Sequence, residues 1–126
     1  MENKKTHKVL FVCTQNVFRS LSAHHLMHKY VKDNNINGYE IDSCGTIAYD
    51  WESPYQHTLN LLKEKGVSIK NHKNKKITKE MCNESNFIIC MTNDHKDFLT
   101  KNFKVESYLF NEIAINKNTD LEDDNE

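Results

Sequence analysis

The stretch Lys8-Val9-Leu10-Phe11-Val12-Cys13-Thr14-Gln15-Asn16-Val17-Phe18-Arg19-Ser20 carries the decision about the fold. Its first half is a continuous apolar run with β-branched content, the pattern of a strand buried on both faces. After the polar Thr14-Gln15-Asn16, the residues Leu21, Ala23, Leu26, Met27, Tyr30 and Val31 recur at helical spacing up to about Lys32. A loop that wraps from a buried strand into a helix N-terminus turns several backbone N–H groups toward one point and adds the positive helix end. Such a cradle suits a tetrahedral oxyanion. A thiol on its floor, Cys13, would ionise easily, because those N–H groups stabilise thiolate. Arg19 opens the helix and can fork two phosphate oxygens, and Ser20 can donate to the sulfur.

Composition strengthens the reading of Arg19. Of 17 basic residues in the 126, 16 are lysines and Arg19 is the one arginine. Where lysine is so favoured, a lone arginine marks a place that needs a planar, bidentate donor fork. The plain alternative is a buried cysteine beside a chance arginine. A lone arginine falls six residues after one of four cysteines in only about 3% of random placements, before the flanking strand and helix are counted.

Outward from this loop, strand and helix patterns alternate. Tyr39-Glu40-Ile41-Asp42-Ser43 reads as a short strand, broken by Cys44-Gly45-Thr46. Ser53 caps and Pro54 opens a helix striped by Tyr55, Leu59 and Leu62 and ended by Gly66. Thr78 caps a single helical turn, and Phe87-Ile88-Ile89-Cys90-Met91 is a second buried strand pattern. Thr92 or Asn93 starts a short helix to Lys101, and Val105 to Phe110 reads as the last strand. The alternation predicts a small three-layer α/β sandwich: a mostly parallel four-stranded sheet with helices on both faces. The site is then expected beyond the carboxyl ends of the strands. Residues 1–126 read as one domain whose acidic stretch from about 116 trails off as a mobile tail.

The net charge of −1 argues against a dedicated nucleic-acid binder, which should be basic. The longest uncharged apolar run, Val9–Cys13, is far too short for a bilayer, and no secretory signal is visible. Cys13, Cys44, Cys82 and Cys90 follow neither a disulfide framework nor a zinc knuckle. The expectation is a cytoplasmic domain with no nucleic-acid or membrane partner, no cofactor and no metal.

The run from Val9 to Ser20 resembles the opening strand and phosphate loop of the low-molecular-weight protein tyrosine phosphatases. The resemblance continues through Asp42-Ser43-Cys44-Gly45-Thr46, Gly66 with His72 beyond it, Ile77-Thr78-Lys79-Glu80, and Phe87 to Met91. It implies that Cys13 attacks phosphorus, that Thr14, Gln15, Asn16, Val17, Phe18, Arg19 and Ser20 bind the phosphoryl group, and that water hydrolyses a phosphocysteine. It also implies that Asn16, Ser43 and His72 brace the loop, and that Tyr49 or Trp51 forms a wall for the phosphotyrosine ring. The implied partners are a tyrosine-phosphorylated protein or small aryl phosphate, and inorganic phosphate or a similar oxyanion.

Several residues depart from the family pattern. Gln15 stands where glycine is usual, so a positive φ there would be strained. Phe18 replaces a second loop cysteine, Leu21 a proline and Thr92 an aspartate. The family's general acid is an aspartate in an Asp-Pro-Tyr segment, which has no counterpart here; nor has the family's final helix. Counting on from Leu109-Phe110 places Asp123 at the equivalent spot, with Asp120 and Asp124 as rivals. Degradation of that segment keeps open a weakened phosphate- or phosphopeptide-binding module. Two other chemistries share the scaffold. Phosphoarginine hydrolysis is disfavoured by Val17, where such a relative carries a small polar residue. Thiol-dependent arsenate reduction is disfavoured because Cys82 and Cys90 flank a strand too long for a bridge.

Overall fold

The computed structural model describes residues 6–49, 53–69 and 72–122. The apolar run becomes β1 (His7–Cys13), whose last five residues, Val9 to Cys13, are all buried. It leads through the loop into α1 (Arg19–Asp33). There follow β2 (Tyr39–Gly45), α2 (Gln56–Glu64), α3 (Lys79–Glu84), β3 (Phe87–Cys90), α4 (Asn93–Phe103), β4 (Tyr108–Leu109) and α5 (Phe110–Ile115). The sheet order is β2-β1-β3-β4, and all three pairings are parallel. β1 therefore has a strand on each side, which is why its sequence shows no polar alternation.

Alternate residues of β1 feed opposite layers. Leu10 and Val12 pack with Ile77, Cys82, Ile88 and Leu99, the side on which Met81 of α3 and Phe98 of α4 cover the sheet. Val9, Phe11 and Cys13 pack with Met91, under Ala23 and Met27 of α1 and Phe110 of α5. Leu21 of α1 closes against Leu62 of α2 and Val67. Helices thus lie on both faces, giving the three-layer α/β sandwich that the alternation predicts.

Three elements differ from the sequence expectation. α2 starts two residues later than Pro54, with Tyr55 as an extended N-cap and no side-chain cap; the Tyr55 hydroxyl donates to Gln15 Oε1 at 3.4 Å. The last strand shrinks to Tyr108–Leu109. Val105 instead completes the end of α4, where Lys104 turns left-handed (φ 55°) and the Val105 N–H returns to the Leu99 carbonyl at 3.4 Å. Residues 110–115, expected to end the strand and start the tail, form α5. The two threonine caps are as expected: Thr78 Oγ1 accepts from the Met81 N–H, and Thr92 Oγ1 from the His95 N–H.

The acidic segment carries specific bonds as far as Leu121. Asn111 Nδ2 donates to Thr119 Oγ1 and to the Asp120 carbonyl. Asp120 Oδ1 accepts the Asn93 N–H at 2.7 Å at the start of α4. The Leu121 N–H bonds to the Met91 carbonyl at 2.8 Å.

Candidate active site

Strand β1 ends on Cys13 and α1 starts on Arg19, so Thr14 to Phe18 must reverse within five residues. The reversal places Asn16 at φ 62°. Gln15 does not take a positive φ, so the strain anticipated there falls one residue on, where asparagine tolerates it. The loop closes around the sulfur. The Asn16 N–H donates to Cys13 Sγ at 3.2 Å, and Ser20 Oγ lies 2.9 Å from it. Asn16 Nδ2 donates to Ser20 Oγ at 2.7 Å, and Ser20 also reaches the Cys44 carbonyl at 3.2 Å. Cys13, Asn16 and Ser20 are at most 2% exposed.

The loop is braced from two sides. Asn16 Oδ1 accepts from His72 Nε2 at 3.0 Å and from the Lys75 N–H at 3.3 Å. On the other side Thr14 Oγ1 lies 2.9 Å from His95 Nε2. The backbone of the segment after β2 adds Thr46 N–H to Cys13 O and Ile47 N–H to Thr14 O. This close approach needs Gly45: a Cβ there would sit 2.4 Å from the Thr14 carbonyl oxygen.

Arg19 is 8% exposed, and its two terminal nitrogens are held separately. Nη1 donates to the Leu121 carbonyl at 3.2 Å and Nη2 to Thr14 Oγ1 at 3.3 Å. A guanidinium so oriented beside an N–H-lined loop can grip a tetrahedral anion.

Most of the residues singled out from sequence converge here: Cys13, Thr14, Asn16, Arg19, Ser20 and His72. Val17 is buried in the same loop. Ser43 is buried, and its hydroxyl pairs with His24 Nδ1 at 2.7 Å instead of with a loop residue. Its bracing role is corrected accordingly: the turn of the chain after Cys44, not the Ser43 side chain, meets the loop. Tyr49 lies on the segment tied to Thr14 and is 46% exposed. Trp51, Asp123 and Asp124 fall outside the described residues. Asp120 is engaged at the start of α4.

The sequence pattern points to neither His95 nor Leu121, and it puts Tyr55 in a helical stripe instead of beside the loop. His95 left one local signal, the Thr92-to-His95 spacing of a capping box, in which the ring bonds back to the Thr92 N–H at 3.1 Å. Leu121 acts through its carbonyl and left none.

Residues 8–123 match the family described as low molecular weight phosphotyrosine protein phosphatase. The chain belongs to this family. It is 31% identical over 97 residues to a protein-arginine-phosphatase of Geobacillus stearothermophilus, covering 77% of this chain and 62% of that protein. To the human low molecular weight phosphotyrosine protein phosphatase it is 33% identical over 93 residues, 72% of this chain and 58% of the relative. The chain thus spans about three fifths of the length of these two relatives. Among solved structures, the arginine phosphatase from Geobacillus stearothermophilus superposes with a TM-score of 0.80 at 28% identity, covering 93% of this chain and 75% of that one. The low molecular weight protein tyrosine phosphatase from T. tengcongensis gives 0.84 at 25%, covering 94% and 82%. The family therefore includes members named for phosphotyrosine and members named for phosphoarginine. No helix among the described residues of this phosphatase-family chain is long and apolar enough to cross a membrane.

Proposed function

We propose that this chain is a phosphomonoester hydrolase that dephosphorylates phosphotyrosine, on a protein or a small aryl phosphate, through a phosphocysteine on Cys13. The observation that carries the proposal is the sulfur at the floor of the loop, with the Asn16 N–H donating to it, Ser20 Oγ 2.9 Å away and Arg19 opening the next helix. In this reading the Cys13 thiolate attacks phosphorus, and the bond between phosphorus and the aryl oxygen breaks. The leaving oxygen takes a proton from a carboxylic acid, and water then cleaves the S–P bond, releasing inorganic phosphate and regenerating the thiolate. The N–H groups of Thr14 to Ser20 and the guanidinium of Arg19 hold the equatorial oxygens, where charge develops. No metal is needed for these steps.

Asn16 and His72 keep the loop in its binding shape. Tyr49 and Trp51 supply the wall for the aryl ring. Asp123 is the proposed acid: Leu121, two residues earlier, already delivers its carbonyl to Arg19. Of its rivals, Asp120 is spent on the Asn93 N–H. A cytoplasmic location belongs to the same proposal and is supported by four unpaired cysteines.

The leaving group provides the test. Cys13→Ser should abolish phosphate release from p-nitrophenyl phosphate while phosphate binding survives; retained turnover would remove Cys13 from the role. Asp123→Asn should slow phosphotyrosine, whose phenol has a pKa of about 10, far more than p-nitrophenyl phosphate. Equal effects on both substrates would exclude Asp123 as acid. Binding of phosphate with no turnover of either substrate would favour a phosphate-binding module. A second reading, hydrolysis of phosphoarginine, is favoured by the names of the Geobacillus relatives. Val17 speaks against it, being apolar and buried where a guanidinium would need a polar partner. A higher kcat/KM on a phosphoarginine peptide than on its phosphotyrosine counterpart would reverse the order.

A further inference from the structure

Behind the phosphate loop three imidazoles meet. His24 and His25 project from α1 and His72 from the segment before Ile77, and one ring nitrogen of each lies within 4.8 Å of the other two. The rings of His24 and His25 stack at 4.1 Å, and His72 stands edge-on to both. All three line a cavity of about 490 Å³ that also exposes Asp42 and Lys73. There is room for an ion and its water.

The surrounding hydrogen bonds decide which nitrogens carry lone pairs. Asn16 gives its amide N–H to Ser20, so its Oδ1 must accept, and the His72 proton therefore sits on Nε2. That leaves His72 Nδ1 bare. His25 Nε2 lies 3.2 Å from this lone pair, so a single shared proton joins the two rings. His24 Nδ1 pairs with the Ser43 hydroxyl at 2.7 Å, which leaves Nε2 as the nitrogen turned to the cavity side of that pair, and ligation there would place the ring proton on Nδ1, toward Ser43. A ring whose outer N–H is held by a carbonyl or hydroxyl while its inner nitrogen is bare is the usual arrangement of a metal-bound histidine. His72 already has it, and His24 takes it when its proton sits on Nδ1 against Ser43. A cation need only replace the proton between His25 and His72.

Distances agree with the same reading. Tetrahedral zinc with Zn–N bonds of about 2.0–2.1 Å sets its nitrogens about 3.3 Å apart. The His25–His72 pair is at that spacing, and the third ring has at most about 1.5 Å to close. Burial lowers the pKa of all three rings, with neighbouring imidazoles adding to it at His24 and His25, so they are uncharged at neutral pH, as ligation requires. Asp42 adds a carboxylate at the cavity wall, and the Lys75 ammonium beside it is paired with that carboxylate at 2.6 Å.

We propose that His24, His25 and His72 form a three-imidazole site for a divalent transition cation of the zinc type, with water as the fourth ligand. The site is distinct from Cys13 and Arg19, but His72 links it to the loop, since its Nε2–H stays on Asn16 when its Nδ1 is ligated.

Zinc alone tests this, added to EDTA-stripped full chain in a Cys13→Ser background, which takes the loop thiol out of competition. Calorimetry should find one ion per chain with a Kd of about 10 μM or tighter. His25→Ala and the milder His25→Gln, both at a half-exposed position, should each weaken binding about 30-fold. The rise of Tm with zinc should vanish with them. Cobalt should give a d–d spectrum without a thiolate charge-transfer band. Absence of one-to-one binding, binding unchanged in both His25 variants, or a thiolate band would each overturn the site.

Discussion

A methyl group added at Gly45 would lie 2.4 Å from the Thr14 carbonyl oxygen and 3.0 Å from the carbonyl carbons of Thr14 and Gln15. All three neighbours are backbone, so no side chain can swing aside. Gly45 itself is pinned, its N–H on the Lys75 carbonyl at 2.8 Å and its carbonyl on the Ile77 N–H at 2.9 Å. The Thr14 carbonyl is fixed in turn by the Ile47 N–H at 2.8 Å. In Gly45→Ala the loop must therefore move by about 1 Å to restore an ordinary contact. Overpacking of this kind costs about 1–3 kcal/mol, or about 4–12 °C in Tm for a chain of this size. Misplacement by about 1 Å beside the reacting atoms costs on the order of a hundredfold in rate. Thermal melts and kcat on p-nitrophenyl phosphate read both effects. Gly66→Ala supplies the control. Its φ of +83° makes alanine cost about 1 kcal/mol, yet the new methyl meets only the flexible end of Lys29, at 3.1 Å. Gly66→Ala should lose stability and keep its kcat. If Gly45→Ala keeps kcat within about threefold, or if both variants lose activity alike, the close approach does not position the loop.

Arg19→Lys keeps one charge but cannot serve Leu121 and Thr14 from two nitrogens, so kcat should fall a few hundredfold, about 3–4 kcal/mol, with a smaller change in KM. Turnover like wild type would make Arg19 a structural residue only. Burial pushes the Cys44 and Cys82 thiols up and the Cys90 thiol up to about 11. Iodoacetamide at neutral pH should accordingly label Cys13 in the folded protein before the other three, with phosphate protecting it; mass spectrometry showing Cys90 labelled as fast would contradict the assignment. Burial first, then neighbouring imidazoles, hold His24 at about 3 and His25 at about 4. The unfolded chain takes up protons on them below about 6.5 and the folded chain does not, so stability should fall as pH drops from about 6.5 toward 4. Urea midpoints measured in EDTA from pH 7.5 to 5 check this; His24→Gln should flatten the slope, and an unchanged slope would refute the linkage.

What the sequence determined by itself is whatever depends on residues close together along the chain. The unbroken apolar run Val9–Cys13, the helical stripe after Arg19 and the short polar link between them define a strand, a loop and a helix. The steric limits of seven residues then force Cys13 and Arg19 to face one cradle. Thr78 and Thr92 were legible for the same reason, since a cap acts over three residues. Tertiary structure decided whatever joins distant segments. Thr14 meets His95 across 81 positions and Arg19 meets Leu121 across 102, contacts that leave no periodic trace. The acidic composition of the C-terminal segment suggested a loose tail, but Asn111, Thr119 and Asp120 bond it down as far as Leu121. Ser43 pairs with His24, not the loop, because parallel pairing brings Gly45 beside Cys13 and leaves Ser43 two residues earlier, facing α1. The need for glycine at position 45 has the same origin: no rule of local conformation demands it, and only the passage of the Thr14 carbonyl 2.4 Å from a missing methyl does.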